Sequence, residues 1–147
     1  MFSARHYIER GVDEMGRIGA IVISLGTNDC KAVFTDKLPE VPRNLDRLLT
    51  AIKENAHFTD QFPRVYVVST QPYGPEEKLI EKYRGAGERL ARLVPELEKI
   101  TRRQGFVFIN TYQKLLPIID YLSVDGVHLT VEGQKLTALM IEEALVP

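Results

Sequence analysis

At 147 residues with 44% apolar content, the chain has the size of one domain and enough apolar side chains to bury a core. Its 19 Lys and Arg against 20 Asp and Glu give a formal net charge of -1 with no block of one sign, so nothing in it anticipates a nucleic-acid partner or an anionic membrane surface. The single cysteine, Cys30, excludes an intrachain disulfide and a cysteine-based structural zinc site, and neither a membrane span of roughly 20 apolar residues nor a signal peptide is present, so a cytoplasmic location is expected.

Phe2 to Met15 carries a modest helical pattern in Ile8, Val12 and Met15. Anything preceding this segment in the natural protein would leave no trace in the sequence. Ile21 to Leu25 is an apolar run suited to a parallel strand covered on both faces, and it stops abruptly at Gly26-Thr27-Asn28-Asp29. The carboxyl ends of such strands are where ligands bind in open α/β sheets. Cys30 to Pro42 reads as a loop, a length that in compact domains often serves function. Asn44 is placed to cap a helix whose Leu45, Leu48, Leu49 and Ile52 share one face.

Val65 to Ser69 reads as a second buried strand, ending in the structured turn Thr70-Gln71-Pro72-Tyr73-Gly74-Pro75 on the same rim as Asn28. Glu76 to about Gln104 is read as mostly helical, with Leu79, Tyr83, Ala86, Leu90, Leu93, Leu97 and Ile100 near one side and Pro95 expected to kink or split it. Phe106 to Ile109 is a third buried strand ending at Asn110, and Leu115 to Tyr121 a short connection with helical character. Thr130 can cap a last helix that buries Leu136, Leu139, Met140 and Ala144. Strands alternating with helices predict a parallel sheet with helices on both faces.

Two groups of residues can carry chemistry. Asp125 and His128 sit three apart with Gly126 between them. A carboxylate there can accept the imidazole Nδ1 proton and leave Nε2 free as a general base, although Asp125 and Thr130 bracketing a helix start, with His128 a plain surface residue, is the simpler reading. Asn28, at the end of a buried strand, can aim its amide at a developing oxyanion. Equally, Asn28 or Asp29 can cap the next segment, with Gly26 serving only a tight turn.

Taken together, the two groups resemble the SGNH or GDSL hydrolases. Gly26-Thr27-Asn28-Asp29 looks like the family's Gly-x-Asn-Asp block after a buried strand, and Asp125-Gly126-Val127-His128 like its Asp-x-x-His block before the final helix; Cys30 to Phe34 and Leu129 to Gly133 continue both. The resemblance runs from about Gly19 to the end. It implies a three-layer αβα, flavodoxin-like parallel sheet forming a single domain over 1–147, and hydrolysis of a small acyl ester with His128 as base, Asp125 as its orienter and Asn28 as oxyanion donor. Gly26 and Tyr73 would line the substrate pocket, and no metal or organic cofactor is implied.

The chain departs from the family in having no Gly-Asp-Ser, the block that carries the nucleophile at the end of the family's first strand. The glycine of the second block is also missing, and Ser3-Ala4-Arg5 resembles the residues that follow it. Ser24, Ser69 and Ser123 each read as ordinary strand or loop serines, and Cys30 sits beside Asp29, whose charge disfavours a thiolate. The expectation is therefore a domain incomplete at its amino terminus, lacking its first strand. The apolar edge of strand 21–25 would then be covered by more of the same polypeptide, by a partner chain or in a homo-oligomer. A binding module without catalysis, or one part of a two-chain enzyme, is the alternative.

Overall fold

In the computed structural model, residues 16–55 and 63–146 are described, together with 6, 10, 11, 13 and 14. The pattern read in Ile8, Val12 and Met15, the Ser3-Ala4-Arg5 match and Phe62 lie outside them. Three parallel strands form one sheet in the order β1 (Ala20–Ser24), β2 (Arg64–Val68), β3 (Val107–Ile109). The register sets Ile21 opposite Val65 and Ile23 opposite Val67, and then Val67 opposite Phe108. Because side chains alternate across a strand, Ile21, Ile23, Val65, Val67 and Phe108 point to one face and Tyr66, Val68 and Ile109 to the other.

The first face is covered by α1 (Glu40–Lys53) and α2 (Ala86–Arg103). Leu45, Leu49 and Ile52 from α1 meet Leu90, Leu93, Val94, Leu97 and Ile100 from α2 over the sheet. Leu49 and Leu90 are fully buried, so truncating either to Ala removes about 2 to 5 kcal/mol. At the far end of the helix pair, Gln104 donates through Nε2 to Asp46 Oδ1 (2.6 Å) and Thr50 Oγ1 (3.2 Å). The second face is covered by α5 (Val131–Leu145), whose Met140, Ile141, Ala144 and Leu145 pack on Tyr66, Val68 and Ile109. Between β3 and α5 lie two short helices, α3 (Thr111–Leu115) and α4 (Ile119–Leu122). The arrangement is the three-layer αβα sheet expected.

Several local expectations are corrected. The segment after β1 is two 3-10 turns, Asn28–Cys30 and Ala32–Lys37, and α1 begins at Glu40 instead of after Asn44. Pro42 falls in the first turn of α1, where backbone N–H groups have no helical partner and proline costs nothing, and Asn44 is an exposed residue inside the helix. The region from Glu76 begins with 3-10 turns at Glu76–Lys78 and Glu81–Tyr83, so Leu79 and Tyr83 precede the helix. Pro95 leaves α2 unbroken: both it and Ala91, whose carbonyl it cannot serve, are exposed, so water can satisfy that carbonyl. Leu139 is 58% exposed because it lies on the opposite side of α5 from Met140, Ala144 and Leu145.

Strand β1 was expected to be covered on both faces. Ile23 is buried under α1 and α2, but Val22 on the other face is 42% exposed and Leu25 just beyond is 63% exposed. Among the described residues β1 pairs only with β2.

Candidate active site

The rim at the carboxyl ends of the strands is built from three loops. The first follows β1. Gly26 adopts φ 128°, and a Cβ there would stand 2.5 Å from Thr70 Oγ1, so only glycine fits. Thr70 Oγ1 is held in that place by donating to the Leu25 carbonyl at 2.9 Å. The chain then closes a 3-10 turn, with the Asp29 N–H on the Gly26 carbonyl (3.1 Å) and the Lys31 N–H on that of Asn28 (3.3 Å).

Side chains from farther along the chain brace this turn. Tyr73 donates its hydroxyl to the Thr27 carbonyl at 2.6 Å, Tyr83 donates to Asn28 Oδ1 at 3.2 Å, and Arg89 Nε donates to the Cys30 carbonyl at 2.9 Å. The two tyrosine rings pack with centroids 5.8 Å apart. Burial pushes the Tyr73 phenol well above its ordinary range, so it stays protonated and keeps the O–H that it donates to Thr27. Burial, followed by the charge of Asp29, pushes the Cys30 thiol up to about 11. Cys30 is fully buried and is a core thiol at neutral pH.

The second loop, Thr70 to Pro75, straps the first to the third. Besides the bonds of Thr70 and Tyr73, Gln71 Nε2 donates to the Val127 carbonyl (3.2 Å) and the Gly74 N–H to the Gly126 carbonyl (2.9 Å). A Cβ on Gly74 would come within 2.9 Å of Gly126 Cα, so the two backbones touch.

The third loop holds the acid and the imidazole. Asp125 Oδ1 accepts the backbone N–H groups of Val127 (2.9 Å) and His128 (2.7 Å), while Oδ2 lies 2.7 Å from His128 Nδ1. A carboxylate can only accept, so Nδ1 carries the proton and Nε2 is the ring's free lone pair in the neutral imidazole. The backbone N–H of His128, then its ring, then the Val127 N–H hold the Asp125 carboxyl well below the usual carboxylate range. Gly126 supplies φ 79° for the reversal, and Thr130 Oγ1 accepts the Gly133 N–H to cap α5. The His128 side chain is 77% exposed.

The predicted Asp125 and His128 are thus bonded to each other. Asn28 and Gly26 stand on the adjoining rim, joined to the Asp125–His128 loop through Tyr73, Gly74 and Gly126. Gly26 also lines an apolar cavity of about 150 Å³ between β1, α1 and α2, with Ile23, Leu25, Leu45, Val67 and Leu97 as walls and Asp29 and Asn44 as polar lining. Tyr73 is 6% exposed and is engaged with Thr27 beneath the rim. Of the serines weighed as nucleophiles, Ser69 Oγ lies 3.0 Å from Thr111 Oγ1 and accepts the Tyr112 N–H, Ser123 Oγ donates to the His128 backbone carbonyl, and Ser24 is the exposed last residue of β1. Thr70, Tyr83 and Arg89 were not singled out from the sequence, since each reaches a partner 45 to 59 residues away and nothing local marks them.

Among the described residues no helix is long and apolar enough to cross a membrane, and no group of His, Cys, Asp and Glu is placed to hold a metal ion.

Comparison with known proteins bears on this geometry. The family model for GDSL-like lipases and acylhydrolases matches residues 4–136. No curated protein sequence matches the chain. Among solved structures, a carbohydrate acetylesterase from Sinorhizobium meliloti superposes with a TM-score of 0.70 at 19% identity, covering 97% of this chain and 68% of that one. An aryl esterase from M. smegmatis gives 0.71 at 19%, covering 96% and 66%. A GDSL-like lipase from Bacteroides thetaiotaomicron gives 0.68 at 20%, covering 98% and 71%. At these identities the likeness establishes the fold, and the chain spans about two thirds of the length of these relatives.

Proposed function

Because the chain belongs to the GDSL-like lipase/acylhydrolase family, we propose that it carries the base, the orienting acid and one oxyanion donor of a serine ester hydrolase whose nucleophilic serine lies outside these 147 residues. The observation that carries this reading is the 2.7 Å bond between Asp125 Oδ2 and His128 Nδ1, which leaves Nε2 exposed as a base.

In this reading the serine hydroxyl attacks the acyl carbon while His128 Nε2 takes its proton. The Asn28 amide donates to the oxyanion of the tetrahedral intermediate. His128 then protonates the leaving alcohol, and water repeats the sequence on the acyl-enzyme. Asp125 keeps the ring in one tautomer and stabilises the imidazolium. The substrate is a small acyl ester, with the cavity beside Gly26 offering room for a short apolar acyl chain and Tyr73 supporting the rim above it. Among the described residues β1 pairs on one edge only, with Leu25 exposed just beyond it, and the other edge suits the strand that would bring the serine from the same polypeptide; a partner chain or a homo-oligomer contact would otherwise cover it. A cytoplasmic location is part of the same reading.

A second reading, a binding module on this fold or one part of a two-chain enzyme, rests on the same absence of Gly-Asp-Ser from the 147 residues, with the hydroxyls of Ser69 and Ser123 bonded elsewhere. Hydrolysis of p-nitrophenyl acetate separates the readings. The proposal expects turnover in a polypeptide extended by the coding sequence upstream of Met1, carrying an in-frame Gly-Asp-Ser and silenced by His128→Ala. An upstream region without that block, or turnover untouched by His128→Ala, sinks it.

A further inference from the structure

The Asn28 turn is held at three points, and each fixes something different. Tyr73 on the Thr27 carbonyl and Arg89 on the Cys30 carbonyl fix the backbone on either side of Asn28. Neither acts on the Asn28 side chain. An asparagine amide turns about a broad, roughly two-fold final torsion, so the backbone alone does not decide which way its N–H groups point. For an exposed residue such as Asn28, water would satisfy either orientation.

From the bond between Tyr83 and Asn28 Oδ1, we propose that Tyr83 is a positioning residue that selects one orientation of the Asn28 amide, and so presents Nδ2 to the substrate oxyanion. The inference rests on Asn28 being an oxyanion donor, as proposed above. A phenol donates better than it accepts because its oxygen lone pair is drawn into the ring, so it draws the amide oxygen towards itself and turns the NH2 away. The phenol cannot follow the amide if it rotates. Its ring is 5% exposed, packs on Tyr73 and lies within 5.8 Å of Lys31 Nζ and 5.3 Å of Lys82 Nζ. Tyr83→Phe keeps the ring and its packing and deletes only the bond to Asn28.

Two measurements test this. Side-chain 15N relaxation at Asn28 Nδ2 needs no turnover and is made on the chain as it is. The order parameter should be clearly lower in Tyr83→Phe than in the wild type, with backbone resonances beyond the turn unchanged. Equal order parameters in the two proteins overturn the proposal. In the extended polypeptide that hydrolyses p-nitrophenyl acetate, Tyr83→Phe should lower kcat about tenfold at constant KM, because the donor remains but is misaligned. Asn28→Ala should lower kcat by about 10² to 10³, and adding Tyr83→Phe to it should change nothing more. Additive losses would mean Tyr83 acts elsewhere. Unchanged turnover in Asn28→Ala, with the amide still loosened in Tyr83→Phe, would instead refute Asn28 as the oxyanion donor and leave the positioning contact standing.

Discussion

The Asp125–His128 loop and the Asn28 turn stand on the same rim and are held in opposite ways. In the first, the bonds of the Asp125 carboxylate run between residues at most three apart, to the N–H groups of Val127 and His128 and to the His128 ring, and the 70–75 loop adds only Gln71 and Gly74 on the Val127 and Gly126 carbonyls. The second is shaped from a distance, by Thr70, Tyr73, Tyr83 and Arg89, which approach from the β2 side of the sheet and the start of α2. The exposed loop organises itself around one carboxylate, whereas the turn depends on the packed core beneath it. Mutations should therefore damage the first through its chemistry and the second through its stability.

The largest effect expected is at Asp125. Asp125→Asn presents an amide where the ring N–H needs an acceptor on both protonation states, so the wrong tautomer becomes available, and kcat for p-nitrophenyl acetate in the extended polypeptide should fall on the order of 10⁴-fold. Because the loop is exposed and local, the denaturation midpoint should move little. A large loss of stability with modest loss of kcat would reverse the contrast between the two loops.

The turn should give the opposite result. Gly26→Ala forces a Cβ to within 2.5 Å of Thr70 Oγ1 at φ 128°, and Thr70 cannot withdraw without giving up the Leu25 carbonyl. Urea denaturation should show a loss of about 2 to 3 kcal/mol from backbone strain and the lost bond together. Next is Arg89→Leu, which leaves the Cys30 carbonyl without its charged donor; about 1.5 to 3 kcal/mol is the scale for such a bond, and the same titration measures it. The loss should also expose Cys30, now buried with its thiol pushed up to about 11, and alkylation by iodoacetamide at pH 8 should quicken relative to the wild type.

The same contrast accounts for what the sequence made legible. Asp125, His128 and the Thr130 cap were readable because their partners lie within three residues, as were the faces of α1 and the core of α2, which follow from helical period. Asn28 was readable as a strand-end amide, but its braces were not: Tyr83 looked like one more apolar position on a helix that in fact starts at Ala86. The early start of α1 escaped because Pro39 and Pro42 read as loop punctuation, although Pro39 is only the N-cap and Pro42 lies in the first turn, where proline is tolerated. The exposed side of β1 escaped for another reason. An apolar run predicts that a strand is fit to be covered, and cannot name what covers it.

The smallest effect concerns pH, and its sign follows from Asp125. Its carboxyl is held well below the usual range by the His128 N–H, the His128 ring and the Val127 N–H. A folded pKa below the unfolded value of about 3.9 means that the stabilisation is fully present above that value and is lost only as pH falls through the lower folded one. Between pH 7 and 5 the Val127 and His128 backbone amides should therefore keep their protection from hydrogen exchange, corrected for intrinsic rates. Below pH 4 protection should decline in these two amides while the Asp29 and Lys31 amides of the Asn28 turn, which bond to backbone carbonyls, do not follow Asp125. Joint loss of protection in both places would show that the loop and the turn open as one unit through the strap at Tyr73 and Gly74, and the distinction between a self-held loop and a core-held turn would fall with it.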